Sequence, residues 1–428
     1  MKKLPGRIIL LFLLCLSLPR SYAQLRYLEP DTFGRLPEIY GPVRIDAERL
    51  VLAAICKTEF VENKAIFGYL FCILDNQGTI KRTRVFTELP GKPPAIHIKQ
   101  MLAAGNCIVL AGRATDYIDS DRFVAILDTD LNVLGWGPGA LHAPVQSVLP
   151  LSGNRFIVAG IGKGGVMLQD TYHIVISDSS NGSFDRISYG SPDWPEDQEL
   201  VDMAATADGN RMFFLHRDNG GNADLRLACA DSSGHVVWQQ TYGTENSRAL
   251  MLRPFAGGYL LVIKKDVRYR DGLLIHTDEK GGILAGTSFG GMLYRSRDDI
   301  RTPAQEADFS KRKGKETALR ISDVSVLPDG DVLLLASVSY FIHEPGNDFA
   351  RQLTSLALLR FSSGLQLKTV YRYPAEGDFI PGKLLPVSGS TYLISALHYG
   401  RSGGGCVLPV DIATMQGWEP YTLHTLPY

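Results

Sequence analysis

Several clusters in this 428-residue chain have spacings that chemistry can use. Gly160-Ile161-Gly162-Lys163-Gly164-Gly165 follows an apolar run and has the glycine spacing that lets a backbone approach a dinucleotide pyrophosphate. That use requires a following helix whose first amides face the phosphates. Val166 to Ser177 instead reads as a loop and a strand, so an inter-strand loop is expected at the glycines. Gly286-Thr287-Ser288-Phe289-Gly290 and Gly400-Arg401-Ser402-Gly403-Gly404 have the spacing of a nucleophilic-serine turn. Such a turn leads from a strand into a helix. Ser288 falls in an expected outer strand, and Ser402 precedes more glycine and the strand-like Cys406 to Val410.

Metal chemistry finds no better footing. Asp128, Asp130 and Asn132 place oxygen atoms at alternate positions, as a calcium loop begins, but Val133 stands where glycine is needed and Gly139 where an acid must close the loop. An ordinary turn is expected. The nine histidines show no HxH, HxxxH or HExxH spacing, so no metal site is read. His343 and His398 fall on or beside loops, where structural roles are favoured over acid/base work.

The elements that would position any site come from a repeat. Its unit is an apolar strand, a glycine-containing turn, a second strand, a variable loop, a third strand ending in Asp, a tight turn and a fourth strand. Aligned on the residue opening the second turn, the copies fall at Asp75, Asp128, Asp178, Asp231, Asp278, Ser362 and Asp411, with spacings of 53, 50, 53, 47, 84 and 49. Gly105, Gly153, Gly209, Gly257, Gly330 and Gly389 mark the first turn, with Ala47-Glu48 in the first copy. Asp and Gly recur there because tight turns need a side-chain bond to the local backbone or a positive φ. Strands such as Phe156 to Ala159 and Val332 to Ala336 are apolar on both faces, so each sheet must lie between two others. Seven copies of four strands therefore predict an all-β, seven-bladed β-propeller with four-stranded antiparallel blades.

Asp231-Ser232-Ser233-Gly234 followed by Trp238 resembles, loosely, the turn signature of pyrroloquinoline quinone-type propeller repeats, in which a Trp docks one blade on the next. The Asp-to-Gly spacing is one residue shorter here, so the resemblance implies no cofactor. The copies are more similar to the broad class of secreted bacterial propellers with Asp-x-x-Gly turns, a likeness that implies architecture. The Asp-box of sialidases differs in both spacings.

In such a ring the loop between second and third strands shares a face with the connection to the next blade. That face gathers Thr115 to Asp121, Ser191 to Glu199, Lys264 to Asp271, Tyr340 to Arg351 and Tyr399 to Gly405. Aromatic and arginine side chains dominate recognition surfaces, which makes Tyr117, Trp194, Arg268, Tyr269, Tyr340, His343, Tyr399 and Arg401 the candidate binding residues. The expected function is a non-enzymatic propeller presenting this face to a protein or glycan outside the cytoplasm. The alternative is an extracytoplasmic carbohydrate-active hydrolase or lyase using Asp116, Asp119, Glu196 or Asp197 on the same face. No catalytic residue is assigned, and no cofactor is expected.

The remaining bulk properties set context. Lys2, Lys3 and Arg7, the apolar run Ile8 to Leu18 and Ser21-Tyr22-Ala23 form a secretory signal peptide over residues 1–23, which predicts a secreted or periplasmic protein. The apolar run is too short for a membrane span. Without that segment, 40 basic residues face 45 acidic ones, a balance that disfavours nucleic acid. Residues 24–428 are expected to form one propeller domain with a charged insertion at about 292–320, in which Arg295 to Arg320 hold eight basic and five acidic residues. Cys56, Cys72, Cys107, Cys229 and Cys406 are read as buried thiols, with Cys56 to Cys72 the best candidate for a bridge.

Overall fold

In this computed structural model, the segments Leu50 to Ala54, Leu358 to Leu359 and Leu260 to Ile263 are buried on both faces of their strands. Such strands need a neighbouring sheet on each side. The structure describes residues 26–27, 38–61, 64–86, 96–114, 122–137, 145–150, 155–164, 169–178, 186–187, 198–206, 210–218, 225–231, 235–242, 248–264, 272–289, 318–342, 351–374, 378–399 and 404–420. The signal-peptide expectation and nearly all of the charged insertion lie outside these residues.

After a short β1 (Arg26–Tyr27), hydrogen-bonded hairpins follow one another in chain order. The first sheet is β2 (Glu38–Arg44), β3 (Arg49–Val61), β4 (Lys64–Asp75) and β5 (Ile80–Phe86). Next come β6 (Ile96–Ala104), β7 (Cys107–Ala114), β8 (Arg122–Asp128) and β9 (Val133–Gly137). The third sheet is β10 (Val145–Pro150), β11 (Arg155–Gly164), β12 (Gln169–Asp178) and β13 (Arg186–Ile187). The fourth is β14 (Gln198–Ala205), β15 (Arg211–Asp218), β16 (Leu225–Asp231) and β17 (Val236–Tyr242). The fifth is β18 (Arg248–Phe255), β19 (Gly258–Lys264), β20 (Gly272–Asp278) and β21 (Ile283–Phe289). The remaining strands are β22 (Ala318–Val326), β23 (Val332–Ile342), β24 (Arg351–Phe361), β25 (Leu367–Arg372), β26 (Asp378–Ser388), β27 (Thr391–Tyr399), β28 (Gly404–Asp411) and β29 (Glu419–Pro420).

The first strands make a closed ring. β2 meets β6, β6 meets β10, β10 meets β14, β14 meets β18, β18 meets β22, β22 meets β26, and β26 returns to β2. The apolar core is divided among the seams between repeats: Phe71 and Ile73 pack with Ile108 and Leu110, and at the closing seam Leu393 and Val407 pack with Leu52 and Leu70. Sheets wedged round an axis are a β-propeller.

The expectation of seven separate four-stranded blades is corrected. Among the described residues, hydrogen bonding divides the strands into six sheets, five of four strands and one of nine. The last two repeats fuse because Asp378 of β26 pairs in parallel with Thr354 of β24, and the Asp378 carboxylate accepts the Thr354 amide at 3.0 Å. β1 adds to β28 from the other end of the chain, and β29 adds to β25.

The residues opening the second turns act as their types suggest. Oδ1 of Asp75 accepts the amides of Gln77 and Thr79 at 2.9 and 2.8 Å, and Oδ1 of Asp128 those of Asp130 and Asn132 at 2.9 and 2.7 Å. Oδ1 of Asp278 does the same for Lys280 and Gly282 at 2.8 and 2.7 Å, and Ser362 Oγ accepts the Gln366 amide at 3.0 Å. Three residues after these heads the backbone is left-handed, with Gly78 at φ 75° and Gly281 at φ 82°. Leu131 and Leu365 adopt φ 66° and 60° at the same place, and both are wholly buried between repeats. Burying a leucine contributes about 1.5–3 kcal/mol, which offsets a left-handed cost of about 1–2 kcal/mol.

Two further sequence readings are corrected. Gly160 to Gly164 is the end of β11, paired with β12 from His173 to Gln169, where a loop was expected. A Cys56 to Cys72 bridge is excluded by register. Cys56 pairs with Gly68 and Cys72 with Leu52, four ladder positions apart, or roughly 13 Å at 3.3 Å per residue. A disulfide needs Cα atoms within about 7 Å. Cys72, Cys107, Cys229 and Cys406 are buried thiols, as read. Ser288 sits in outer strand β21, also as read.

Candidate functional site

Each ring strand bulges by one residue relative to its partner, at Tyr40/Val43, Ile98/Gln100, Val145/Ser147, Leu200/Asp202, Ala249/Met251, Ile321/Asp323 and Pro381/Leu384, and β26 bulges again at Pro386/Ser388. A bulge re-aims the side chains beside it. In three repeats the residue after the bulge is polar and bonds forward to the backbone of the next ring strand. Gln100 Nε2 donates to the Val148 carbonyl at 2.7 Å and its Oε1 accepts the Val148 amide at 2.8 Å. Asp202 Oδ2 accepts the Leu252 amide at 3.0 Å, and Asp323 Oδ2 accepts the Leu384 amide at 3.0 Å.

Between the two aspartates stands Arg253. Its Nη1 donates to Asp202 Oδ2 at 2.8 Å and to the Leu252 carbonyl at 2.8 Å, while Nη2 reaches Asp323 Oδ1 at 3.5 Å. Lys383 Nζ approaches the same Asp323 oxygen at 3.5 Å, and Ser147 Oγ approaches Asp202 Oδ1 at 3.4 Å. The Asp202 carboxylate also accepts the Met203 amide at 2.9 Å. Burial works against the Arg253 charge, but Asp202 and Asp323 outweigh it and hold the guanidinium above its ordinary range. Four consecutive repeats are thus linked by two carboxylates and two cations of balanced charge.

These carboxylates are poorly suited to proton transfer. A general base needs an oxygen free to take a proton, whereas here the carboxylate oxygens already accept from the Met203, Leu252 and Leu384 amides and from Arg253 and Lys383. The cluster is suited to holding ring strands in register. Among the described residues, no group of three or more His, Cys, Asp and Glu could hold a metal ion.

Of the residues read from sequence as a binding face, Tyr340 lies in the loop-ward half of second strand β23, where its backbone pairs with Leu353. Tyr399 ends second strand β27 opposite Asp378. Tyr117, Trp194, Arg268, Tyr269, His343 and Arg401 lie outside the described residues, as do Asp116, Asp119, Glu196 and Asp197. His398 stacks on Phe379 with ring centroids 4.5 Å apart.

Sequence reasoning missed the axial cluster. A signal existed: Asp202 and Asp323 each stand seven residues before a first-turn glycine, Gly209 and Gly330. Two acids at the same phase of a structural repeat identify a position where the fold supplies partners.

No family model and no curated protein matches the chain. It is similar to a solved prolyl endopeptidase, with 11% identity and a TM-score of 0.49 over 96% of this chain and 53% of that one. The chain thus spans about half the length of that enzyme. It is also similar to a protein from Lactobacillus plantarum, with 14% identity and a TM-score of 0.47 over 88% and 95% of the two chains. The β-propeller domain of the Trilobed protease from Pyrococcus furiosus has 10% identity and a TM-score of 0.45 over 92% and 100%. The closed ring of first strands makes the chain a β-propeller. Among the described residues no helix is long and apolar enough to cross a membrane.

Proposed function

We propose that this chain is a non-enzymatic propeller scaffold that acts outside the cytoplasm and presents its loop face to a protein or a glycan. The observation that supports this reading is the use of charge along the axis. Asp202 and Asp323 each join a backbone amide of the following ring strand to Arg253, so the carboxylates nearest the centre serve the frame. A rigid ring carrying variable loops is the arrangement that recognition proteins use. The aromatic and arginine residues Tyr117, Trp194, Arg268, Tyr269, Tyr340, His343, Tyr399 and Arg401 are the proposed contacts, and the basic, apolar opening of the chain supports export.

The test is affinity electrophoresis and a binding screen of the purified chain against polysaccharides and secreted proteins, run beside model glycosides. Retention without turnover, lost when Tyr117, Trp194, Tyr269 and Arg401 are replaced together by Ala, is the expected result. Turnover abolished by a single change such as Asp197→Asn would overturn the non-enzymatic reading.

A further inference from the structure

In the second repeat, His97 of β6, Arg113 of β7 and Arg122 of β8 form one rung of the ladder. Two residues nearer the turns, Ala111 and Val124 pack with Phe156 and Val158 of β11 across the seam to the third repeat. Strand alternation by two places the basic rung on that same face, at the loop-ward end of the seam.

Other repeats bury this place. Arg122 stands six residues before Asp128, which opens the second turn, and the residues at that distance in five other repeats are Tyr69, Leu225, Gly272, Leu356 and Gly405, all buried. Ser337 and Leu397, the rung partners of Leu356 and Gly405, are buried as well. A charge at such a place needs a counter-charge, and two arginines opposite each other on neighbouring strands repel.

The facing strand makes room. Alternation from Phe156 and Val158 carries their face on through Gly160, Gly162 and Gly164. Gly112 and Gly160 hold the same place in their repeats, each opposite the residue before the ring bulge, which sets Arg113 level with Gly160 to Gly162. Among the described residues, no acid stands in the basic rung or in those of the glycines, whose partners are His173, Thr171 and Gln169, and Asp170 falls in the alternate row opposite Lys163.

We infer that this seam is an oxyanion slot, in which Arg113 and Arg122 together hold a carboxylate, sulfate or phosphate group beside the glycines of β11. Guanidiniums donate to such groups through parallel N–H bonds, and glycine within a strand suits the close approach of a ligand. The slot goes beyond the loop-face reading and stands whether that face meets a protein or a glycan.

The test is isothermal titration calorimetry of the full chain with sodium acetate, sodium sulfate and sodium phosphate at constant ionic strength, which separates the three groups. At least one is expected to bind. Arg113→Ser with Arg122→Leu, which installs the residue types of the sixth repeat, is expected to weaken binding at least about tenfold, roughly 1.4 kcal/mol, without lowering the thermal midpoint. Gly162→Val, which adds bulk and removes no charge, is expected to weaken binding too. Far-UV circular dichroism reports whether each variant is folded. A wild type that binds none of the three anions, or folded variants that bind as tightly as it does, overturns the inference. So does a lowered midpoint of the arginine variant without added anion, because the arginines would then be neutralised within the chain, as by Asp116 or Asp119.

Discussion

The guanidinium Nη1 of Arg253 lies 2.8 Å from Oδ2 of Asp202, the same oxygen that accepts the Leu252 amide. One atom therefore joins β14 to both the backbone and the side chain of β18, and Arg253 carries the link on towards Asp323 of β22. Removing the cation leaves two carboxylates near the axis without their shared neutraliser. Arg253→Met is expected to cost about 2–4 kcal/mol, read from urea unfolding. Arg253→Lys should recover only part of this, because one ammonium cannot span both acids. A cost below about 0.5 kcal/mol for the Met variant would contradict the role given to this residue.

A second expectation concerns Trp238 and Gly281. A Cβ at Gly281 would come within 2.9 Å of the Trp238 ring, and Tyr242 Oη donates to the Gly281 carbonyl at 2.7 Å. The equivalent turn position holds buried leucine in two other repeats, Leu131 and Leu365. Gly281→Leu should therefore cost about 1–3 kcal/mol by overpacking, and Trp238→Ala about 3 kcal/mol by leaving a gap. Combined, the leucine fills the space vacated by the indole, so the double variant should lose at least about 1 kcal/mol less than the sum of the singles. Strict additivity in a double-mutant cycle would show that the two sites do not share that space.

His216 is buried and its ring stacks on Phe214 at 6.2 Å. Burial, aided by Arg226, lowers its pKa from 6.5 to about 3. The unfolded chain binds this proton below about pH 6.5 while the folded chain does not, so the contribution to stability is complete above pH 6.5 and falls as pH drops towards 3. NMR should show no titration of this imidazole between about pH 8 and 5. His216→Phe should flatten the decline of stability with acid over the same window.

Asp331 should shape stability at lower pH. Burial raises its pKa, but Lys368 Nζ at 2.7 Å and Arg360 Nε at 2.7 Å outweigh that and hold the carboxyl below its usual range. Its stabilisation is present above the unfolded value of about 3.9 and is lost as pH falls through the lower folded value. Asp331→Asn should lower the unfolding free energy at neutral pH and narrow its gap to wild type as pH falls below about 4. A gap that widens in acid would show the opposite sign of coupling.

The repeat was legible because its turns depend on local chemistry. Asp128 and Asp278 bind their own turn amides, and that requirement is visible in a bare sequence. The ring bulges were not legible, since the ring strands mix apolar residues with polar ones such as Gln100, Asp202, Arg253 and Asp323, and one extra residue there breaks no regular alternation. Asp202 and Arg253 therefore looked like isolated polar residues 51 positions apart, although the fold brings them together. Sheet boundaries escaped for a related reason. The bond from Thr354 to Asp378 depends on how a connection between two repeats runs, which periodicity does not encode. Gly160 to Gly164 reads as flexible from composition alone, yet pairing with Gln169 to His173 keeps it extended.

Arg26 and Tyr27 align with Val407 and Cys406, and the guanidinium of Arg44 is clasped by the carbonyls of Pro386 and Val387. A growing polypeptide can assemble its middle hairpins as they emerge, but these contacts join segments some 340 to 380 positions apart. Closure must wait until β26 to β28 have emerged, and until then the apolar flanks of the first and last sheets lack each other. Chaperone occupancy during biogenesis should accordingly concentrate on the open circle, and circular permutants that move the break into another seam should shift where that vulnerability falls.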